Sequence, residues 1–372
     1  MLQHDGKENY SIASVRAMSW AKDKLEQLIT KGRETTKEVL EKVDATLIED
    51  TIVKADRISF YPGSEEGTLC LETPGFDAVM HEHAADQAIA RLGGTKRISQ
   101  WAFEPDTAEE FTGILNKKLK RQGSKRYLTR SVKGEVRGFM SDRYRRLDVR
   151  PLVEALVSTS VKTYDAVPIA ACALDTSFHM KMVLPHIFEP IPNEVGIFGL
   201  TFRNSDFGAG RLYIKGFFNR LWCTNLAMCE DGISQVHLGR VLSDDIAFSQ
   251  RTYELDTMTM ASAIGDVVKH IFSSENINRR MALIQQAYAE QSDVDLGKVL
   301  KGLVKSSKLY QNESEKVKEA FNSPDVEMLP PGQNRWRLSN AISLIAQQTK
   351  PDRQLELEEV AGEVAGLAQR AS

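Results

Sequence analysis

The sequence predicts an α+β fold: a central, mainly antiparallel sheet flanked by helices, with a helical C-terminal region. Three observations carry this. Residues 160–240 are rich in β-branched and aromatic residues broken by Gly, Asn and Asp. Helical periodicity occupies both flanks. The strands are grouped rather than alternating one by one with helices, unlike a doubly wound sheet.

The elements follow in chain order. Val15, Met18, Ala21, Leu25, Leu28 and Ile29 recur at helical spacing, which predicts a helix over 12–45. Two strands are expected over 57–72 around Pro62-Gly63-Ser64-Glu65-Glu66-Gly67, with Ile58, Phe60, Leu69 and Leu71 on one pattern. A short helix is expected over 79–92, ended by Gly93-Gly94. Thr107 and Glu110 have capping-box spacing and open a helix to about 121. Arg126–Val132 and Glu135–Phe139 flank Lys133-Gly134 as a hairpin. Residues 150–158 read as a helix with Pro151 in its first turn. Strands are expected at Val161–Leu174, Ser177–Leu184, Glu194–Asn204, Gly210–Phe218 and Arg220–Thr224. Helical texture resumes near 254 and is clearest at Asn334–Gln348 and Leu355–Ala371. Ser306–Pro331, with its Asn, Ser and paired prolines, reads as an internal linker.

At 372 residues the chain is long enough for about two domains of ~150 residues each. The expected division is an α+β core over 1–253 and a helical region over 254–372. Hydrophobic content of 42% and charged content of 27% are those of a globular chain rather than a disordered one. Mean hydropathy is −0.33, and no apolar run nears the ~18 residues of a membrane span, so no membrane partner is expected. The polar stretch Met1–Asn9 has no apolar core of a secretory signal. With four cysteines in no paired framework, this predicts reduced thiols and a cytoplasmic location.

Charge is distributed unevenly. The net formal charge is −3, yet Lys117–Arg150 holds thirteen Lys/Arg against Glu135, Asp142 and Asp148. That segment carries a net +10 in 34 residues and leaves −13 for the rest. Such a run suits a polyanion, an acidic partner surface or solvent. Tyr127, Phe139 and Tyr144 are interleaved with it, and cations beside aromatic platforms suit single-stranded nucleic acid. The candidate phosphate contacts are Lys125, Arg126, Arg130, Arg137, Arg143, Arg145 and Arg146. The candidate stacking residues are Tyr127 and Tyr144.

Several chemistries lack their motifs. There is no G-x-x-x-x-G-K-[ST], G-x-S-x-G or H-E-x-x-H, and Gly208-Ala209-Gly210 lacks the third glycine of a dinucleotide turn. No catalytic residue, cofactor or metal site is assigned. His81-Glu82-His83 sits in predicted helix, where residues two apart diverge, so it reads as an exposed polar turn rather than a metal site. Cys223, Cys229 and His237 have no usual zinc spacing and read as core thiols with an unrelated histidine. Asp142, Asp148, Asp206, Asp244 and Asp245 form no recognisable pair, although a nuclease site would need two or three of them to converge on a divalent ion. In the strand after Gly210, Arg211, Tyr213, Lys215 and Phe217 share one face, and Leu212, Ile214 and Phe218 share the more apolar one. The mixed face is expected either in water or along a nucleic-acid backbone.

The stretch Ser141-Asp142-Arg143-Tyr144-Arg145-Arg146-Leu147-Asp148, followed by the helix through Leu152 and Leu156, resembles the signature of a phage- and plasmid-borne domain family of unassigned function. That family has an S-D-R-Y-x-x-x-D phrase before a short helix, then an N-S-x-D-G-S-like turn and a strand reading R-V-V-C-x-N. The counterparts here are Asn204-Ser205-Asp206-Phe207-Gly208 and Arg220-Leu221-Trp222-Cys223-Thr224-Asn225. The turn is displaced within its phrase, and Trp222 replaces an aliphatic residue. Val236-His237-Leu238-Gly239-Arg240 is similar to a following R-H-T phrase, with looser order. The resemblance covers about 135–245 and implies a mobile-element setting, where recombination or replication is common. The same phrases also read simply as turn and strand-end fixtures.

These readings converge on an ATP-independent, single-stranded DNA-binding protein of a phage or plasmid that forms a homo-oligomer and promotes strand annealing or related recombination. Two rivals stay open. One is a metal-dependent nuclease, and the other is a structural or interaction protein whose basic segment docks an acidic partner.

Overall fold

The computed structural model describes residues 18–65, 67–95, 99–221, 226–235, 249–290, 295–323 and 329–367. Its content is mixed, with two mostly antiparallel sheets and helices that continue to Val364, so the α+β class holds. Helix α1 (Met18–Asp44) leads into β1 (Glu49–Lys54), β2 (Ser59–Pro62), β3 (Leu69–Thr73) and β4 (Phe76–Met80). Then come α2 (Glu82–Arg91), α3 (Pro105–Gln122), β5 (Arg126–Val132) and β6 (Glu135–Ser141). These strands form one sheet in the order β1-β5-β6-β4-β3-β2, with only β4 and β6 parallel.

The predicted hairpin forms because Lys133 and Gly134 both adopt left-handed φ, 51° and 80°, which the right-handed strand twist requires of a two-residue turn. Phe60, Leu69, Leu71, Tyr127, Val136 and Phe139 point to one side of the sheet and bury against α2 and α3. Residues 76–80 form a strand, where the sequence pattern suggests a helix from 79. The helix starts at Glu82, where the Nδ1 of His81 accepts a hydrogen bond from the His83 amide at 3.1 Å. α3 starts two residues before Thr107. The Thr107 hydroxyl donates to the Trp101 carbonyl at 2.9 Å, so the expected capping box does not form.

The second half opens with α4 (Val149–Tyr164), which runs past the expected 158 and displaces the strand expected from 161. β7 (Val167–Ala173), β8 (Phe178–Val183), β9 (Phe188–Ile191), β10 (Glu194–Asn204), β11 (Leu212–Arg220) and β12 (Leu226–Gln235) follow. They form an antiparallel sheet in the order β12-β11-β10-β8-β7, with β9 on β10. Arg220 ends β11 rather than opening a new strand, and residues 222–225 lie outside the described residues.

Helices α5 (Gln250–Phe272) and α6 (Ser274–Ala289) share the core of this sheet through residues such as Ile264, Val268 and Ile284, packed with Phe198 and Leu200. The division expected at 253/254 therefore falls inside α5. Helices α7 (Leu296–Lys305), α8 (Gln311–Asn322), α9 (Arg335–Ala346) and α10 (Pro351–Val364) build a core of their own around Val317, Leu338, Ile342 and Leu357. α8 occupies the middle of the expected linker. Glu313 holds its first turn, accepting from the Tyr310 amide at 2.8 Å and from Arg353 Nε at 2.9 Å. A buried pair ties these helices to the sheet. Arg220 grips Glu194 at 2.6 and 2.9 Å, and the Trp336 indole donates to the same carboxylate at 3.4 Å.

Candidate nucleic-acid interface

The structure separates the residues that the sequence groups together. Tyr127 is fully buried, stacked on Phe139 with ring centroids 4.7 Å apart, and its hydroxyl bonds Gln122. Tyr144 is 7% exposed and donates to the Ser205 carbonyl at 3.2 Å. Neither ring offers a face to a base, which corrects the stacking assignment. Alternation along β5 turns Tyr127 inward, where its large apolar area fills the core.

Most of the candidate cations meet carboxylates of this chain. Arg126 pairs with Asp142 at 2.9 Å, and Arg137 pairs with Glu135 at 2.8 Å and Asp175 at 3.6 Å. Arg145 holds Asp256 in a two-bond fork at 2.5 and 2.7 Å. Arg146 reaches Asp50 at 3.1 Å and lies over the Tyr253 ring at 4.2 Å. Arg143 is half-buried. Asp50 and Asp256 lie far along the chain from their partners, so a count of local charge misses them. The mixed face of β11 is also covered. Lys215 pairs with Glu359 of α10 at 2.9 Å, and Tyr213 and Phe217 are buried. Only Arg211, at its start, stays open, with 52% of its side-chain surface exposed.

Arg130 is the centre of this arrangement. Only 2% exposed, it pairs with Asp50 at 2.8 Å and Asp148 at 2.7 Å and donates to the Asp206 carbonyl at 2.8 Å. Two of the sequence phrases, Ser141–Asp148 and Asn204–Gly208, meet here. Asn204 donates to the Leu147 carbonyl at 2.6 Å, and the Asp206 carboxylate accepts from the Val149 amide at 2.7 Å. The Ser205 hydroxyl donates to the Thr176 carbonyl at 2.6 Å, and Gln87 of α2 donates to the Phe207 carbonyl at 2.9 Å. His83 reaches that same carbonyl at 3.1 Å and is half-buried, so the expected exposed turn is instead the first turn of α2, held against the second sheet. The 204–208 turn of the second sheet is thus clasped by α2, β5 and the 141–149 segment, joining the two sheets. A cavity of about 370 Å³ opens beside this hub, with Lys42, Arg130, Asp148 and Thr176 among its walls.

Burial pushes the Asp206 carboxyl up to about 7, with the Asp148 charge adding and Arg130 and the Val149 amide opposing. Between the ordinary carboxyl value and about 7, the folded chain holds a proton that the unfolded chain has released. Stability from this group therefore falls as pH rises through that window. Asp206→Asn, which keeps an acceptor for Val149, will gain stability relative to the native chain as pH rises from about 4 to about 8. Thermal melts of both proteins across that range test this, and a constant difference in Tm would refute it.

A basic surface is left open at one corner of the first sheet. Lys117, Lys120 and Arg121 occupy one arc of the last two turns of α3, and Lys125 follows in the next loop; all four are exposed. Lys54 and Arg57, at the end of β1, join them. The Ala55 amide donates to the Lys125 carbonyl at 2.7 Å, and the Asp56 amide donates to the Gly123 carbonyl at 3.3 Å. None of these six cations forms an ion pair among the described residues, and Asp56 is the one acid in the two segments. Of the nine candidate residues, only Lys125 belongs to this corner, where it also lies 5.3 Å from the Tyr127 ring centroid. Lys54 and Arg57 escape sequence reasoning because they lie about sixty residues before the basic run.

Asp148 and Asp206, two of the acids considered for a nuclease, both meet the Arg130 guanidinium, Asp148 through its carboxylate and Asp206 through its backbone carbonyl. Asp244, Asp245, Cys223 and His237 lie outside the described residues. Among the described residues, no group of three or more His, Cys, Asp and Glu has the arrangement to hold a metal, and no helix is long and apolar enough to cross a membrane. Comparison with protein-family models, curated proteins and solved structures found no match. The fold and site define a two-sheet α+β protein with a buried Arg–Asp hub and an exposed basic corner.

Proposed function

We propose that this protein binds single-stranded DNA through its phosphate backbone, without ATP, and promotes strand annealing or related recombination for a mobile element. The observation that carries the reading is the basic corner: six exposed cations from two distant segments, none neutralised by a carboxylate of the described chain. Annealing makes and breaks no covalent bond. It requires cations that hold a strand with its bases outward and more than one binding unit to bring strands together. With Tyr127 and Tyr144 buried, affinity rests on phosphates and is correspondingly sensitive to salt.

Fluorescence anisotropy with a labelled single-stranded oligonucleotide, over a salt series with and without EDTA, tests the reading. Submicromolar binding is expected at ~50 mM salt, with a log–log slope on the order of −4 if all six cations meet phosphates. No binding at that salt would overturn the proposal. The acidic-partner reading draws on the same corner and on the loss of both stacking rings. Binding to polyglutamate without binding to DNA would favour it. Cleavage of the oligonucleotide that EDTA abolishes would favour the nuclease.

A further inference from the structure

Among the described residues, five strands, β1, β2, β7, β9 and β12, pair on one side only, and four of them carry a cover; on β9, Gln285 of α6 donates to the Pro190 carbonyl at 2.8 Å. α1 packs on β7 and α10 on β12, with Gly32 and Gly362 letting the backbones approach closely. On β2, Asn116 of α3 stands in for a strand: its Oδ1 accepts from the Phe60 amide at 2.7 Å, and its Nδ2 donates to the Phe60 carbonyl at 2.8 Å. β1 pairs with β5 on one side, and no described strand pairs with it on the other. Exposed edges of this kind are templates for pairing.

The geometry of β1 determines what it can pair with. The Ala55 amide bonds back toward β5, so alternation turns the backbone groups of Glu49, Thr51 and Val53 to β5. Those of Asp50, Ile52 and Lys54 face the open side. Two copies related by a two-fold axis, with Ile52 opposite Ile52, would place Asp50 of one copy opposite Lys54 of the other. Each of these opposed pairs exchanges two backbone hydrogen bonds. Charged residues usually protect an edge by repulsion, but in this register the charges are opposite. Asp50 keeps 25% of its side-chain surface open despite its internal pairs. Ile52 is 46% exposed and Leu47, just before the strand, is 76% exposed, so the edge also carries apolar surface to bury.

We infer that β1 is the contact of a symmetric homodimer, joining the first sheets of two copies antiparallel through Asp50, Ile52 and Lys54. This does not depend on what the basic corner binds. It sets the corners side by side, because Lys54 lies two residues, or ~7 Å, from the axis in each copy.

Sedimentation velocity on the full chain at micromolar to tens of micromolar concentration tests the inference. The native protein is expected to dimerise. Ile52→Pro removes a donor that points away from β5, so it spares the internal ladder and raises the dimer dissociation constant at least tenfold. A native chain that is monomeric throughout, or a folded Ile52→Pro protein that dimerises as well as the native one, would overturn the inference. Should circular dichroism show that Ile52→Pro is unfolded, Ile52→Cys decides. Mild oxidation is expected to give a cross-linked dimer absent from the native protein and from Val79→Cys, whose exposed site lies on β4. Failure of that cross-link would equally overturn the dimer.

Discussion

Replacing Arg130 with methionine will destabilise the protein by about 3–5 kcal/mol, the range for removing one partner of a buried ion pair. The size follows from what remains behind. Asp50 and Asp148 lose their shared cation, and the Asp206 carbonyl loses a donor at 2.8 Å. Methionine fills similar volume, so little of the effect comes from a cavity. Arg130→Lys should fall between the two proteins, because one ammonium cannot reproduce the fork of a guanidinium. Arg145→Ala is the control. Its pair with Asp256 is partly solvated, and removal of such a pair is worth less than about 1 kcal/mol. Urea midpoints for the four proteins test the ranking. An Arg130→Met protein as stable as Arg145→Ala would show that the hub does not hold the sheets together.

The second large effect concerns binding. Alanine at Lys117, Lys120, Arg121 and Lys125 together should lower the salt slope for single-stranded DNA by about 3, at ~0.7 for each phosphate that is no longer neutralised. Stability should hardly change, because all four side chains are exposed and outside the described ion pairs. Lys120 and Arg121 also complement the helix C-terminus, worth a few tenths of a kcal/mol each. Alanine at Arg126, Arg145 and Arg146 should do the opposite, lowering stability while leaving the slope near native. These two sets distinguish the charge run as a linear segment from the corner that the fold presents. An unchanged slope in the first set, or an equal fall in both, would remove the corner from the binding surface.

The parts of the fold legible in the sequence were those set by neighbours in the chain. The hairpin at Lys133-Gly134 was legible because a left-handed pair of residues dictates its turn. The strand Glu194–Asn204 was legible because one long run of β-forming residues sets it. α8 was hidden by the Asn and Ser around it, and its first turn depends on Arg353, forty residues later. The capping box at Thr107 failed because the Trp101 carbonyl competed for the hydroxyl.

The candidate site divides in the same way. Composition and order by themselves determined an α+β chain with an excess of cations between Lys117 and Arg150. Which of those cations remain available was decided only by tertiary structure. Asp50, Asp175 and Asp256 arrive from distant segments and neutralise arginines whose local sequence looks uniformly basic, because Coulomb attraction acts through space. Lys54 and Arg57 arrive by the same means to extend the part that stays open. Tyr127 and Tyr144 read as stacking platforms in one dimension, but burial of their apolar rings outweighs exposure once a core exists to receive them.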